Sequence, residues 1–131
     1  MSRSPKPIEL RYRNSPKTNS TSERRIENKM KKIVFVDVDD TLIRSVGAKR
    51  IPMPGVVANV RALYEDGAEL YLWSSGGAEY ARASAQELKI EECFVAFLPK
   101  PTSYIDDQPV GEWRFCKHVY PAAAMSDRGD R

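Results

Sequence analysis

The sequence is poor in the residues that form zinc sites, disulfide bonds and histidine-activated nucleophiles. It contains two cysteines, Cys93 and Cys116, and one histidine, His118, among 131 residues. The cysteines share no CxxC or Cys/His ligand spacing, so we expect both to be reduced thiols in the core. His118 has no serine or cysteine partner signature, which favours a structural role over a catalytic one.

Long hydrophobic runs are also missing. No apolar run approaches the roughly 20 residues that a membrane-spanning helix needs, and no hydrophobic region of a signal peptide precedes residue 33. We therefore expect a cytoplasmic protein that has no membrane partner. At 131 residues, the chain has the size of a single domain.

Net positive charge is missing from the main part of the chain and concentrated near its start. Residues 1–32 carry ten lysines and arginines against three acids, whereas residues 33–131 carry eleven against fifteen. Residues 1–29 also show little apolar periodicity, which predicts a disordered basic extension. Three explanations of this extension stay open: an arm that contacts nucleic acid, a solvated tail, or a segment foreign to the native protein, since Met30-Lys31-Lys32 directly before the first predicted strand looks like a natural start.

Alternation of apolar segments with turn signals predicts an α/β fold. Strands are predicted at 33–36, 69–73, 93–98 and 103–105, with one more between 113 and 120, and helices between Pro54 and Gly67 and at 78–88. The polar residues 44–53 favour a loop or a short flap. This order is typical of a Rossmann-like, mostly parallel sheet flanked by helices. The domain should span residues 30–122 and be followed by a polar tail at 123–131.

The most informative stretch is the first predicted strand with the acids that follow it. Four apolar residues at 33–36 predict a strand that is buried on both faces of the sheet, and Asp37, Asp39 and Asp40 come directly after it. Ligands bind at the carboxyl ends of strands in open α/β sheets. Carboxylates this close repel each other unless they share a cation or a proton. The pattern therefore predicts a metal site.

Polar side chains also follow the later strands. Ser74 and Ser75 follow the second, Lys100 follows the third, and Asp106 and Asp107 follow the fourth. Because the carboxyl ends of parallel strands meet at one edge of a sheet, we expect these residues to form one site. Each also has a simpler explanation: the serines and the acidic pair as turn residues, and Lys100 as an ordinary exposed residue.

Together these residue types suit phosphoryl transfer. A carboxylate can attack phosphorus and form an aspartyl-phosphate, and a second carboxylate can protonate the leaving oxygen and then activate water. Lysine and hydroxyl groups can hold the other phosphate oxygens. A divalent ion would offset the charge, and an all-oxygen ligand set favours Mg²⁺ over zinc.

The motifs resemble those of the haloacid dehalogenase superfamily of phosphohydrolases, in the order of that family. Its first motif resembles Asp37-Val38-Asp39-Asp40-Thr41-Leu42, its second Leu72-Trp73-Ser74, its third Lys100 and its fourth Ile105-Asp106-Asp107. The resemblance implies that Asp37 is the nucleophile and a metal ligand. It implies that Asp39 is the general acid/base and offers its backbone carbonyl to the metal.

By the same resemblance, the remaining motif residues bind phosphate and metal. Ser74, with Ser75, and Lys100 would bind the phosphoryl group. Asp106 would be the third metal ligand, with Asp107 as an alternative or as a partner that orients Lys100. The implied activity is Mg²⁺-dependent hydrolysis of a phosphomonoester, on a small molecule or on an exposed phosphate of a larger one.

Two features depart from the usual pattern of the superfamily. Only six residues separate Lys100 from Asp106, so no helix fits between them and the fourth strand should follow almost directly. The spacings from Asp37 to Ser74 and from there to Lys100 leave no room for a cap domain. The closest resemblance is therefore to the small capless phosphatases, whose sites are open to water and to large substrates.

Two other classes of function stay open at this stage. A phospho-acceptor signalling domain also uses aspartate, a hydroxyl group and lysine, but it needs its acidic pair on the first strand and its acceptor on a later one. A protein that binds nucleic acid or processes its ends would use the basic extension as an arm.

Overall fold

Three parallel strands and two long helices form the framework of residues 31–125, which are the part of the chain that the computed structural model describes. The strands are β1 (Ile33–Asp37), β2 (Ile43–Val46), β3 (Lys49–Pro52), β4 (Glu69–Ser74) and β5 (Phe94–Pro99). The helices are α1 (Pro54–Glu65), α2 (Ala78–Glu87) and the short α3 (Pro121–Met125), with 3₁₀ turns at Glu91–Cys93 and Val110–Glu112. None of the described helices is long and apolar enough to cross a membrane.

The predicted α/β class is confirmed, with a smaller main sheet than expected. This sheet has the order β1–β4–β5 and all of its strands are parallel. All described elements belong to a compact unit that starts at Ile33. The predicted basic extension at 1–29 and most of the predicted tail at 123–131 lie outside the described residues.

One face of the main sheet carries the core. Alternate residues of the central strand β4 point into it, and Leu70 and Leu72 are fully buried. Helices α1 and α2 contribute further apolar residues, among them Val60 and Ala81. Gly67 ends α1 as predicted: it has φ +95°, its N–H donates to the carbonyl of Tyr64, and the next N–H, of Ala68, reaches back to Leu63.

On the opposite face of the sheet, the first strand is more exposed than the sequence predicted. β1 was expected to be buried on both faces, but Ile33 is 62% exposed and Phe35 is 45% exposed. Within residues 31–125, β1 pairs only with β4 and is an edge strand. Phe35 stacks on Tyr71 and meets the edge of Trp73, with ring centroids 5.0 and 4.9 Å apart. The apolar run in β1 therefore serves an aromatic cluster as well as the core.

Residues 44–53, which we expected to form a loop or a short flap, form most of a β-hairpin. Strands β2 and β3 pair antiparallel, with Val46 opposite Lys49, so the hairpin turn has two residues. Gly47 occupies the first of them with φ +61°, a backbone conformation that glycine adopts without a Cβ clash. This hairpin is separate from the main sheet.

The two strands predicted after β5 are wrong. Residues 101–120 are exposed and irregular apart from the short turn at Val110–Glu112, and the side chains of Ile105 and Phe115 are almost fully solvent-accessible. Local hydrogen bonds form within this segment: the N–H of Val110 donates to the hydroxyl of Tyr104 at 3.1 Å. Short apolar runs form strands only where they find a neighbour to pair with, and here local turns replace that pairing.

The two cysteines differ in environment, which half contradicts the expectation of two core thiols. Both are free, but Cys93 is buried and Cys116 is exposed. Burial raises the pKa of the Cys93 thiol, and the nearby Glu92 carboxylate adds to this effect. We therefore predict that Ellman's reagent titrates Cys116 rapidly in the native protein and Cys93 only after unfolding. Rapid reaction of two thiols in the native state would contradict this burial.

Candidate active site

The carboxyl ends of the three parallel strands bring Asp37 and Lys100 together, as the sequence predicted. Asp37 is the last residue of β1 and lies opposite Trp73 of β4, while Lys100 directly follows β5. The backbone N–H of Lys100 donates to the carbonyl oxygen of Ser74 at 2.9 Å, which ties the end of β5 to the end of β4. Three residues far apart in sequence thus lie at one edge of the sheet.

The Asp37 carboxylate is held at both of its oxygens. The ammonium nitrogen of Lys100 lies 3.2 Å from Oδ1, and the hydroxyl of Thr41 donates to Oδ2 at 3.2 Å. Lys100 Nζ also lies 5.9 Å from the centre of the Trp73 ring, over its face. The side chains of Asp37 and Lys100 are 29% and 37% exposed, so a ligand can reach both of them from solvent.

The acids that follow β1 lie in a tight turn that projects the next carboxylate away from the core. The carbonyl oxygen of Val38 accepts hydrogen bonds from the N–H groups of Leu42 and Ile43 at 2.9 and 3.1 Å. Asp40 sits in this turn with φ +64°, a region that aspartate tolerates better than most residues. Asp40 is thus a turn residue, and Asp39 and Asp40 are both exposed.

Asp39 belongs to a hydrogen-bond network that sequence reasoning missed. The Tyr80 hydroxyl donates to Asp39 Oδ1 at 2.6 Å, and Arg50 Nη1 donates to the same hydroxyl at 2.6 Å. Arg50 continues to the hydroxyl of Ser84 at 3.0 Å and pairs with Glu87 at 3.0 Å. The hydrogen bonds to Glu87 and then Tyr80 raise the pKa of Arg50, so this guanidinium stays charged.

One sequence signal could have found part of this network. Tyr80, Ser84 and Glu87 follow the i, i+4, i+7 spacing and therefore lie on one face of α2. A polar stripe of this kind next to a site indicates a partner on another element. The partner, Arg50, lies on β3, and no local pattern in a hairpin that was interpreted as a loop identifies it.

The two serines occupy different environments. Ser74 is 1% exposed, and its Oγ accepts a hydrogen bond from the N–H of Gly76 at 2.9 Å. This hydrogen bond is what the simpler explanation, a turn after the strand, predicts. It uses Oγ as an acceptor, so the hydroxyl proton can still be donated. Ser75 is exposed in the same turn. The expected phosphate-binding role of both residues stays a prediction.

The acidic pair does not join the other carboxylates in a metal-binding cluster. Asp106 and Asp107 are exposed in the irregular segment after β5, and Asp106 Oδ1 accepts a hydrogen bond from the N–H of Gln108 at 3.0 Å. Across residues 31–125, no group of three or more His, Cys, Asp or Glu side chains is arranged to hold a metal ion. The structure brings Asp37, Asp39 and Lys100 to one edge and leaves Asp106 in a local turn.

The oxygen atoms that Asp37 and Asp39 offer fit a magnesium ion. Magnesium is bound in proteins through one or two carboxylates, with waters and substrate phosphate completing its shell. Asp37 offers a carboxylate that is 29% exposed, and Asp39, two residues on, offers a backbone carbonyl, which leaves its carboxylate free for proton transfer. Both are hard oxygen donors of the kind that Mg²⁺ takes, with waters and phosphate completing its shell.

Comparison with known protein families gives a match. A family model described as "Protein of unknown function (DUF705)" matches residues 9–106, about three quarters of the chain. The matched span includes most of the basic segment at 1–29 and ends at Asp106. No curated protein and no solved structure matches the chain.

Proposed function

Since this chain belongs to the family of proteins of unknown function DUF705, its activity has to be inferred from its own site, and we propose that it is a Mg²⁺-dependent phosphomonoester hydrolase with a haloacid dehalogenase-like core. The observation that supports this proposal most is the ion pair of Lys100 with Asp37 at 3.2 Å, between the ends of two parallel strands. A nucleophilic carboxylate next to a fixed cation is what attack on a phosphate dianion requires.

The reaction would proceed in two displacements at phosphorus. A carboxylate oxygen of Asp37 forms a bond to phosphorus while the bond from phosphorus to the ester oxygen breaks, and Asp39 gives its proton to the departing oxygen. Water then attacks the aspartyl-phosphate and passes a proton back to Asp39. The acyl-phosphate bond breaks, and inorganic phosphate and the free Asp37 carboxylate result.

The residues around the two carboxylates have separate tasks in this scheme. Lys100 neutralises charge on the incoming phosphate, and the Thr41 hydroxyl fixes the orientation of Asp37 through Oδ2. When bound, Mg²⁺ held by Asp37 and Asp39 would neutralise charge on the transferring phosphoryl group. Ser74 and Ser75 stay candidates for binding the phosphoryl oxygens, and Asp106 stays a candidate third ligand.

The connections between the site residues support a capless enzyme. Between Asp37 and Ser74 lie only the β2–β3 hairpin and α1, followed by β4, and between Ser74 and Lys100 lie only α2 and β5 with the short turn before it. None of these is an inserted domain. The Asp37 carboxylate is therefore reached directly from solvent, and the substrate can be a phosphate on a molecule larger than a metabolite.

Lys100 provides the test of this assignment. We expect wild-type protein to release p-nitrophenol from p-nitrophenyl phosphate in Mg²⁺ and to lose this activity in EDTA. Lys100→Ala should lower kcat/KM by about 10–100-fold, mainly through KM, because the cation meets the dianion on binding. Lys117→Ala, which removes a lysine from the exposed segment 101–120, is the matched control. Equal kcat/KM in wild type and Lys100→Ala would refute the phosphate-binding role.

A further inference from the structure

The Tyr80 hydroxyl connects Asp39, the acid/base of the proposed reaction, with Arg50, to which that reaction gives no role. It donates to Asp39 Oδ1 at 2.6 Å and accepts from Arg50 Nη1 at 2.6 Å. A phenol has a single proton to donate. Because the arginine can only donate, it fixes the direction of that proton, which therefore points at the carboxylate.

Tyr80 is held from two further sides. A Cβ built on Gly76 would lie 2.9 Å from Cδ2 of the Tyr80 ring, so the ring rests on the backbone of the turn that follows β4. The guanidinium is anchored in turn by Glu87 at 3.0 Å and by the buried hydroxyl of Ser84 at 3.0 Å. Strand β3, helix α2 and the turn after β4 thus converge on one phenol.

We propose that Tyr80 is a positioning residue for Asp39, resting on the proposed function. The hydroxyl holds Oδ1 and so aims Oδ2 at the ester oxygen that takes the proton. Asp39 is exposed and lies in the tight turn after β1, and without this bond its side chain would sample several rotamers in water. Correct orientation of a proton donor increases the reaction rate in the same way as proximity does, because the reacting groups are already in place.

A leaving-group comparison separates positioning of a proton donor from general damage to the site. p-Nitrophenolate departs readily without being protonated. Departure of phenolate from phenyl phosphate depends more strongly on protonation, because phenol is a weaker acid than p-nitrophenol. The two esters have the same ring and nearly the same shape. Loss of a positioned acid should therefore affect kcat/KM for phenyl phosphate more than for p-nitrophenyl phosphate.

The experiment compares Tyr80→Phe with wild type on both esters in Mg²⁺. We expect kcat/KM to fall about tenfold or more for phenyl phosphate and less than about threefold for p-nitrophenyl phosphate. Tyr71→Phe is the matched control, because it removes a hydroxyl from another half-buried tyrosine, on the open face of the sheet, and should leave both values unchanged. Equal losses on the two esters, or no loss, overturn the positioning role.

A second variant tests the same role without removing any hydrogen-bonding group. Gly76→Ala puts a methyl group against the Tyr80 ring, whereas Gly111→Ala adds the same group in open space. We expect Gly76→Ala to reproduce the larger loss on phenyl phosphate, and Gly111→Ala to match wild type. Thermal unfolding of each variant confirms that the protein compared is folded, and wild-type kinetics in Gly76→Ala count against the proposal.

The outcomes separate the two proposals. If wild-type protein hydrolyses neither ester, or if Asp37→Asn keeps full activity, the proposed function fails and the positioning role fails with it. If Asp37 is required and Tyr80→Phe loses activity equally on both esters, the hydrolase assignment stands and only the role of Tyr80 is overturned.

Discussion

Asp37→Asn should reduce Mg²⁺-dependent hydrolysis of p-nitrophenyl phosphate by at least about 10³-fold, because the amide cannot attack phosphorus. The fold should survive, since the Asp37 side chain is 29% exposed and its ion pair with Lys100 faces solvent. Exposed ion pairs contribute little to stability. The measurement is kcat at saturating substrate, with thermal unfolding as the check on folding.

Asp40→Asn is the matched control for that variant. It makes the same chemical change three residues later, at a residue that occupies the turn with φ +64°. Asparagine accepts this backbone conformation as well as aspartate does, so activity and stability should both stay close to wild type. Comparable losses in Asp37→Asn and Asp40→Asn would show that charge in the turn matters and that no single carboxylate is the nucleophile.

Leu72→Ala should produce a large loss of stability. Leu72 is fully buried at the centre of β4 and lies between Val36 of β1 and Phe97 of β5 in the register of the sheet. Truncation of a buried leucine costs about 2–5 kcal/mol, from lost transfer energy and from the cavity left behind. Urea unfolding followed by circular dichroism measures this as a fall in the midpoint at constant slope.

Val95→Ala provides the comparison on the neighbouring strand. Val95 belongs to β5 but is 58% exposed, at the irregular pairing with β4. Its truncation should change the free energy of unfolding by less than about 1 kcal/mol. Losses of similar size in Leu72→Ala and Val95→Ala would mean that the core does not lie on the helix-covered face of the sheet.

The part of the site that the sequence predicts is the part that depends on strand ends. Asp37 and Lys100 could be assigned to one edge because parallel strands end on the same side, whatever the details of their register. The helices could be placed because Pro54, Gly67 and the apolar spacing between them indicate one, and a run rich in Ala, Glu and Arg indicates the other. These inferences need only the local sequence pattern and the residues that begin or end an element.

The failures concern contacts that no periodicity encodes. Tyr80 meets Asp39 across 41 residues and Arg50 across 30 residues, and such pairings depend on how a hairpin packs against a helix. The strand predicted at 103–105 failed because a short apolar run next to prolines makes local turns when no neighbouring strand is available. Because this strand does not form, Asp106 does not lie at a strand end next to the site.

The exposed face of β1 shows a different limit of pattern reasoning. A run of four apolar residues is compatible with burial on two faces or with burial on one face beside an aromatic cluster. Phe35 belongs to such an aromatic cluster, in contact with Tyr71 and Trp73. Whether a strand is buried on one face or on two depends on the elements that cover it, and these lie elsewhere in the chain.

The most direct test of the central claim is to trap the phosphorylated enzyme. Wild-type protein is mixed with excess p-nitrophenyl phosphate and Mg²⁺, quenched in acid during turnover and digested for peptide mass spectrometry. One phosphoryl group should appear on the peptide that contains Asp37, and none on the same peptide of Asp37→Asn. Turnover of wild-type protein with no phosphorylated Asp37, or with the phosphoryl group on another residue, would contradict hydrolysis through an aspartyl-phosphate at this position.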